Sequence, residues 1–522
     1  MRSTTTTGAA AAAIAAIGLA TTGCSGGVTG GGGSGTVTIA IASDPGTLNP
    51  LGTVASSALS MNRFAYDTLV HQGPKGSTVS GIAQRWSATP TSATFTLRKG
   101  VTCQDGSALT ASDVAAVYNY VADPKNQSPL LGVAVPPTAA AEADDARRTV
   151  TVRTKQPAPF FVEMAQLLPL TCKKGLSDPK ALARASDATG AYRLKEAVAG
   201  DHFTYVKRKG YTWGPDGATG DEMPDTVVFK VVANESTATN LLLAGEVNAA
   251  QINGTDRDRL KAAKVMSRST RLLFGELIFN EGSGHATADP AVRKALVGAL
   301  DLKQIGSVAT GGTGRPATNL GEIAPTPCTG DTVTGNLPAH DTARAAEALT
   351  SAGWTKTGKT WTKDGKPLSI TAPYPSTQGP RVSSAMELAT QQWTEFGVKA
   401  TTRTMDQATV VSTLSADTWD VAWSPIGVSL PDQLTRFFSG PVPPRGTNFG
   451  RVDNPEYERL TAEASTKPGK AGCDLWDAAD AALIKRVDVV PIVTNPQTVY
   501  GKGVTFRSDG GIVPSSLRRT LG

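Results

Sequence analysis

Apolar and polar positions alternate most clearly between Gly81 and Ala122. Phe95 and Leu97 are interleaved with Thr94, Thr96 and Arg98, the period-two pattern of a strand with one buried face. Asp105-Gly106 then marks a tight turn. Thr110 stands three residues before Asp113, so its hydroxyl can cap the first free N–H groups of a helix while the carboxylate meets the positive helix end. Val114, Val117, Tyr118 and Val121 recur at helical spacing and give that helix one apolar face. The segment predicts an α/β unit and by itself says nothing of function.

The same patterns run along the rest of the chain. Thr36 to Ile41 alternates as a strand and enters a loop at Asp44 to Pro50, where Gly46 and two prolines bar regular structure. Asn62 to Val70 reads as the tail of a helix, and Phe160 to Leu170 as an apolar helical run. Leu272 to Asn280 predicts a strand. Asp289-Pro290 then caps a helix whose inner face is Val292, Ala295, Leu296, Ala299 and Leu300. Asp341 to Ala352 and Ser383 to Phe396 predict two more helices, ended by Gly353 and Gly397.

Length and charge narrow the class. With 522 residues the chain exceeds a single core, so two or three packed units are expected. The excess of Lys+Arg over Asp+Glu is 51 − 45, or +6, scattered in short groups such as Lys173-Lys174, Lys207-Arg208-Lys209 and Arg518-Arg519. These read as solvated surface charge, because a nucleic-acid binder gathers its charge on one face.

Two catalytic motifs fail on context. Gly353 to Thr360 fits the phosphate-loop pattern G-x(4)-GK-T, but such a loop must follow a strand and open a helix. Here a helix precedes it and a hairpin turning at Asp364-Gly365 follows. Gly23 to Gly27 fits the hydrolase elbow G-x-S-x-G, but it straddles the expected processing site of an N-terminal leader, so no sheet would present the serine. His71, His202, His285 and His340 show no HExxH pattern and no carboxylate partner close by. No enzyme, cofactor or metal constellation is expected.

The run TFTLRKGV-x-x-x-DG-x-x-LTA-x-DV, on Thr94, Phe95, Leu97, Arg98, Gly100, Val101, Asp105, Gly106, Leu109, Thr110, Ala111, Asp113 and Val114 with Trp86 upstream, resembles the signature segment of the bacterial family 5 solute-binding proteins, the receptors of ABC importers. Further segments are similar to that family: Gly190, Tyr192, Tyr211 and Trp213; the Gly245-Glu246-Val247 step with Asn248 in place of an acid; and the helix carrying Asp289, Val292, Arg293, Ala295, Ala299 and Asp301. The resemblance implies an α/β, two-lobed fold with three domains that closes around its ligand like a flytrap. Residues 36–70, 185–270 and 490–522 would form domain I, 71–184 domain II and 271–489 domain III. It also implies capture of a short peptide for an ABC permease and its ATPase subunits, by a monomer without nucleic acid. The alternative is a relative taking a metal chelate, haem or glycan, or one acting in envelope assembly without transport.

By the same resemblance, Thr47, Leu48 and Asn49 would line one cleft wall with Thr494 and Asn495, and Trp423, Ser429 and Asp432 the other. Ser429 stands where peptide receptors keep an acid for the α-ammonium, a charge that a hydroxyl does not replace. Asp432 or Asp420 would have to serve instead.

The N-terminus resembles a bacterial lipoprotein leader: Arg2, an apolar stretch from Ala9 to Ala20 too short to span a bilayer, then Thr21 to Cys24. Residues 1–23 would be removed and Cys24 lipidated, with 24–35 a glycine-rich tether. The variant reading is ordinary secretion, since Thr21 stands where Leu, Val or Ile is usual; either puts the mature chain outside the cytoplasm, on the outer face of the membrane if anchored. Cys103, Cys172, Cys328 and Cys473 then form an even set with three possible pairings. The lobe layout of the resembling fold favours Cys103 with Cys172 and Cys328 with Cys473.

Overall fold

A computed structural model describes residues 35–73, 76–321 and 323–520; the expected leader, Cys24 and all but the last residue of the tether lie outside them. The backbone is organised by one large mixed sheet. Its strands are β1 (Thr36–Ile41), β2 (Tyr192–Val198), β3 (His202–Lys207), β4 (Thr226–Val231), β5 (Ala249–Gln251), β6 (Met266–Phe279), β7 (Val421–Trp423) and β8 (Val489–Gly501), in the spatial order β7-β6-β8-β5-β1-β4-β3-β2. The short strand Arg315–Pro316 adds to β8.

The two long strands make the molecule two-lobed. β6 and β8 run antiparallel from Met266 opposite Gly501 to Ile278 opposite Val489. At one end β8 pairs with β5, and at the other β6 pairs with β7. Val499 belongs to a core that also holds Val37, Phe95, Tyr118, Tyr205 and Leu517, whereas Leu277 and Val490 belong to another with Leu296, Trp361, Trp393 and Trp423. Each long strand thus carries the chain from one hydrophobic core to the next.

Local patterning is obeyed where the partners are close in sequence. The helices that bear on the argument are α1 (Ser56–Ala65), α2 (Ala111–Ala122), α3 (Phe161–Met164), α4 (Glu235–Ala244), α5 (Pro290–Gly298) and α6 (Cys473–Arg486). α2 starts with the full capping box: Thr110 Oγ1 accepts from Asp113 N–H at 3.1 Å and Asp113 Oδ2 from Thr110 N–H at 2.9 Å. Its apolar face covers a four-stranded antiparallel sheet, Ala83–Thr89, Ser92–Leu97, Thr149–Arg153 and Ala140–Asp144. The phosphate-loop pattern resolves into the helix Thr342–Ser351 followed by the strands Thr355–Thr357 and Thr360–Lys363. Asp364 and Gly365 turn at φ 51° and 72°, the left-handed pair that a two-residue hairpin requires. No helix among the described residues is long and apolar enough to cross a membrane.

Four expectations are corrected. The apolar run from Phe160 to Leu170 contains only the four-residue helix α3; Pro169 bars continuation, and Leu168 and Leu170 are buried in non-helical backbone. α1 ends at Ala65, and Val70 opens a strand instead. Gly190 donates its N–H to the Ala65 carbonyl at 2.7 Å, and a Cβ there would stand 2.8 Å from the Ala65 carbonyl carbon; this close approach requires glycine. Arg208 is not solvated surface charge. It is buried, its guanidinium donates to the carbonyls of Ala188, Gly190, Thr102 and Cys103, and it lies 5.4 Å from the Trp213 ring centre. Last, three of the histidines do meet carboxylates: His71 meets Asp67 at 3.4 Å, His202 meets Asp201 at 2.9 Å, and His285 meets Asp420 at 2.9 Å and Asp417 at 3.4 Å, the last two arriving from a distant segment.

The disulfides join Cys103 to Cys172 and Cys328 to Cys473, spanning 69 and 145 residues. The first lies within the first lobe's core, beside the Arg208 hub. The second ties the loop at Cys328 to the start of α6.

Candidate ligand cleft

β1 pairs in parallel with β4 on one side and with β5 on the other. The crossover from β4 through α4 to β5 passes beside β1, so the carboxyl ends of all three strands lie together, the end of an open α/β sheet at which ligand crevices form. A cavity of about 450 Å³ lies there. Ile41, Ala42 and Ser43 bring the end of β1 to it, Ser56, Ser57 and Ser60 one face of α1, and Val499 the edge of β8. The site therefore abuts one of the two strands that connect the lobes.

Its chemistry is mainly apolar with uncharged polar edges. Ala55, the residue before α1, offers no side-chain cap, and the first turn holds no acid, so the helix's free N–H groups remain available to solvent or ligand. Glu235 also lines the cavity, but its carboxylate is engaged by the backbone N–H groups of Asn253 and Gly254. Gln497 Oε1 accepts from Gln251 and Asn253, each at 2.8 Å, and Asn253 Oδ1 accepts from Thr498 N–H at 3.0 Å. These amides stitch the cavity to β8. An apolar body is desolvated here and a few fixed hydroxyls and amides orient it.

None of the residues expected to line the cleft lines this cavity. Thr47 Oγ1 accepts from Asn49 N–H at 3.2 Å and Asn49 Oδ1 from Leu51 N–H at 3.0 Å, so both serve their own turn, while Leu48 is buried in the first lobe's core. Trp423 is not a wall residue: it has no exposed surface, and its indole N–H donates to Gln378 Oε1 at 2.8 Å. It fills the slot left by Gly275, where a Cβ would come 2.9 Å from the ring. Ser429 donates to the Ala324 carbonyl at 3.3 Å. Thr494 donates to the Arg315 carbonyl and Asn495 accepts from Thr313 Oγ1 at 3.2 Å, both turned toward the strand Arg315–Pro316. Asp420 accepts from Thr371 N–H at 2.7 Å and is paired with His285. Asp432 Oδ1 is buried without a hydrogen-bond partner and lies at a contact between the lobes, outside the cavity.

Sequence reasoning passed over Ser43, Ser56, Ser57 and Ser60. Their signal was present: serines at i, i+1 and i+4 of a helix share a face, just downstream of the loop that leaves β1. Among the described residues, no group of three or more His, Cys, Asp or Glu is placed to hold a metal ion.

The sequence profile described as "Bacterial extracellular solute-binding proteins, family 5 Middle" matches residues 77–440. The chain is 24% identical over 483 residues to the periplasmic murein peptide-binding protein MppA of Escherichia coli, covering 87% of this chain and 86% of that protein. A solved MppA in an unliganded open form superposes with a TM-score of 0.75 at 21% identity, over 93% of this chain and 97% of the other. The oligopeptide-binding protein AppA of Bacillus subtilis, solved with a nonapeptide, gives 0.68 at 19% identity, over 94% and 100%. A substrate-binding protein of Microbacterium hydrocarbonoxydans, solved with 4-hydroxybenzoate hydrazide, gives 0.71 at 24% identity, over 93% and 100%.

Proposed function

The chain belongs to family 5 of the bacterial extracellular solute-binding proteins, and from that premise we propose that it captures a short peptide between its two lobes and hands it to an ABC permease driven by separate ATPase subunits. The observation that carries this reading is the cavity at the carboxyl ends of β1, β4 and β5, set against the connecting strand β8. The residues lining it belong to the first lobe and the first-lobe end of β8, so a ligand seated there gains second-lobe contacts only when the lobes shut over it, and such contacts shift the population toward closure. Relatives named or solved as peptide binders, MppA and AppA, support a peptide. The domain division given above, with 71–184 as domain II sharing the first lobe's core, is part of this proposal.

One observation favours a second reading, a non-peptide ligand. The cavity's single acidic lining residue, Glu235, is already engaged by backbone N–H groups, so no carboxylate waits there for an α-ammonium. The Microbacterium relative was solved with a small aromatic hydrazide.

The decisive experiment is mass spectrometry of whatever co-purifies after mild denaturation, followed by calorimetry with a tri- to pentapeptide pool. Ser60→Trp, which fills the cavity from a half-buried helix position, is expected to weaken binding by about a hundredfold, roughly 2.7 kcal/mol. Unchanged affinity would remove the cavity from the site. We further propose that the mature chain is lipid-anchored outside the cytoplasm through Cys24. Cys24→Ser should then release folded protein into the medium, whereas continued membrane retention in cell fractionation would count against the anchor.

A further inference from the structure

Away from β6 and β8 the lobes meet a second time. Phe160 and Met164, on and just before α3, pack with Cys328, Leu430, Ala464 and Trp476 in a small apolar cluster distinct from both main cores. The rings of Phe160 and Trp476 are 6.0 Å apart. Gly469 donates its N–H to the Pro159 carbonyl at 2.8 Å, and Gln433 Nε2 reaches the Val133 carbonyl at 3.4 Å. A contact this small, between segments far apart in the chain, is separate from both main cores, so its parting would unfold neither.

Two carboxyl groups enter this contact. Glu163 comes from α3 and is 8% exposed. Asp432 comes from the turn after Leu430, and its Oδ1 is sealed from solvent with no hydrogen bond. The other charged or titratable groups facing them are Arg436 on Asp432's own segment, Lys470 facing Glu163, and Tyr457, whose buried hydroxyl is also unpartnered. Backbone N–H groups of Asp432 and Gln433 reach the Asp432 carboxyl but leave Oδ1 unpaired; a carboxylate that leaves water without full pairing is costly, and its protonated form much less so.

We propose that Glu163 and Asp432 form a proton-dependent clasp, in which protonation of the facing pair favours the shut arrangement of the lobes and ionisation favours their separation. Burial pushes Asp432 up to about 7, opposed by the backbone N–H groups of Asp432 and Gln433 and by Arg436, with repulsion from Glu163 adding a smaller push. Burial likewise raises Glu163, against the nearby Lys470. Opening returns both groups to water and to the ordinary carboxylate range. The shut form thus binds protons more tightly, so the shut-to-open ratio rises as the pH falls through about 7 and levels off once the open form is protonated too. The inference rests on the two-lobed hinge and not on which ligand the cavity takes. Its consequence is a receptor that holds its ligand more firmly outside an acidified cell.

The test uses energy transfer between labels at Val198 in the first lobe and Val411 in the second, both exposed, introduced as unnatural side chains to spare the disulfides. The shut-to-open ratio of the ligand-free protein should be about tenfold higher at pH 5.5 than at pH 8. The double variant Glu163→Gln with Asp432→Asn imitates the protonated pair and should stay shut-biased and flat across that range. An unchanged ratio in the wild type, or a double variant with the full wild-type response, would overturn the clasp. If the double variant does not fold, Asp432→Asn alone carries the test: at least half of the response should vanish, and full retention refutes the proposal.

Discussion

Arg293→Leu is expected to destabilise the second lobe by about 3–5 kcal/mol, read as a shift in the urea midpoint. The guanidinium has no exposed surface. It donates to the carbonyls of Val487 and Thr287 and to Asp488 Oδ1, each at 2.9 Å, and stands 3.3 Å from Glu281. It therefore fastens α5 to the turn between α6 and β8, and it neutralises two buried acids. Burial and repulsion from Asp488 already push the Glu281 carboxyl upward. Leucine would leave both acids facing each other, with the half-exposed Arg486 at 3.1 Å from Glu281 and 3.5 Å from Asp488, and the Asn454 amide donating to Asp488 at 2.7 Å. Arg293→Lys should recover only part of the loss, because an ammonium cannot span carbonyls and carboxylates in a planar fork. A loss below about 1 kcal/mol for the leucine variant would mean that the acids simply take up protons at little cost.

Removing the Cys328–Cys473 bridge by serine at both positions should cost about 2–5 kcal/mol in oxidising buffer. The bridge closes 145 residues against 69 for Cys103–Cys172. Doubling a loop adds only about 0.6 kcal/mol of closure entropy, so the two losses should differ by roughly that amount. Cys328 also packs in the interlobe cluster with Trp476, and the serine variant should weaken that contact besides. Chemical denaturation of both serine pairs in parallel checks the ranking, and a larger loss from the shorter loop would mean that packing beside Arg208 outweighs loop entropy.

Much of the local architecture was legible because its causes lie within a few residues. The Thr110–Asp113 capping box, the Asp289-Pro290 start of α5 and the left-handed turn at Asp364-Gly365 are each decided by atoms on one turn of chain. The motif around Thr94 to Val114 identified the family for the same reason: its strand, turn and helix are a contiguous unit. The site was less legible. Trp423 and Asp432 read as cleft residues from their segment, but a segment's alignment does not say which side chains turn inward. Trp423 turned into the core because Gly275, on a strand nearly 150 residues earlier, left room for it.

Sequence by itself determined the family, the α/β class, the helix starts and turns, and that Gly353 to Thr360 opens a hairpin and not a phosphate loop. All of these follow from periodicity, capping and backbone stereochemistry over short stretches. Only the tertiary structure decided that Arg208, from a basic run, is a buried hub; that serines of α1 and amides near β5 share one cavity; and that the Glu163 side chain and Asp432 Oδ1 are buried away from solvent. Each depends on pairings between residues far apart in the chain, above all the register of β6 on β8. A side chain's environment is set by what packs against it, and in a chain that crosses twice between lobes those neighbours come from distant segments.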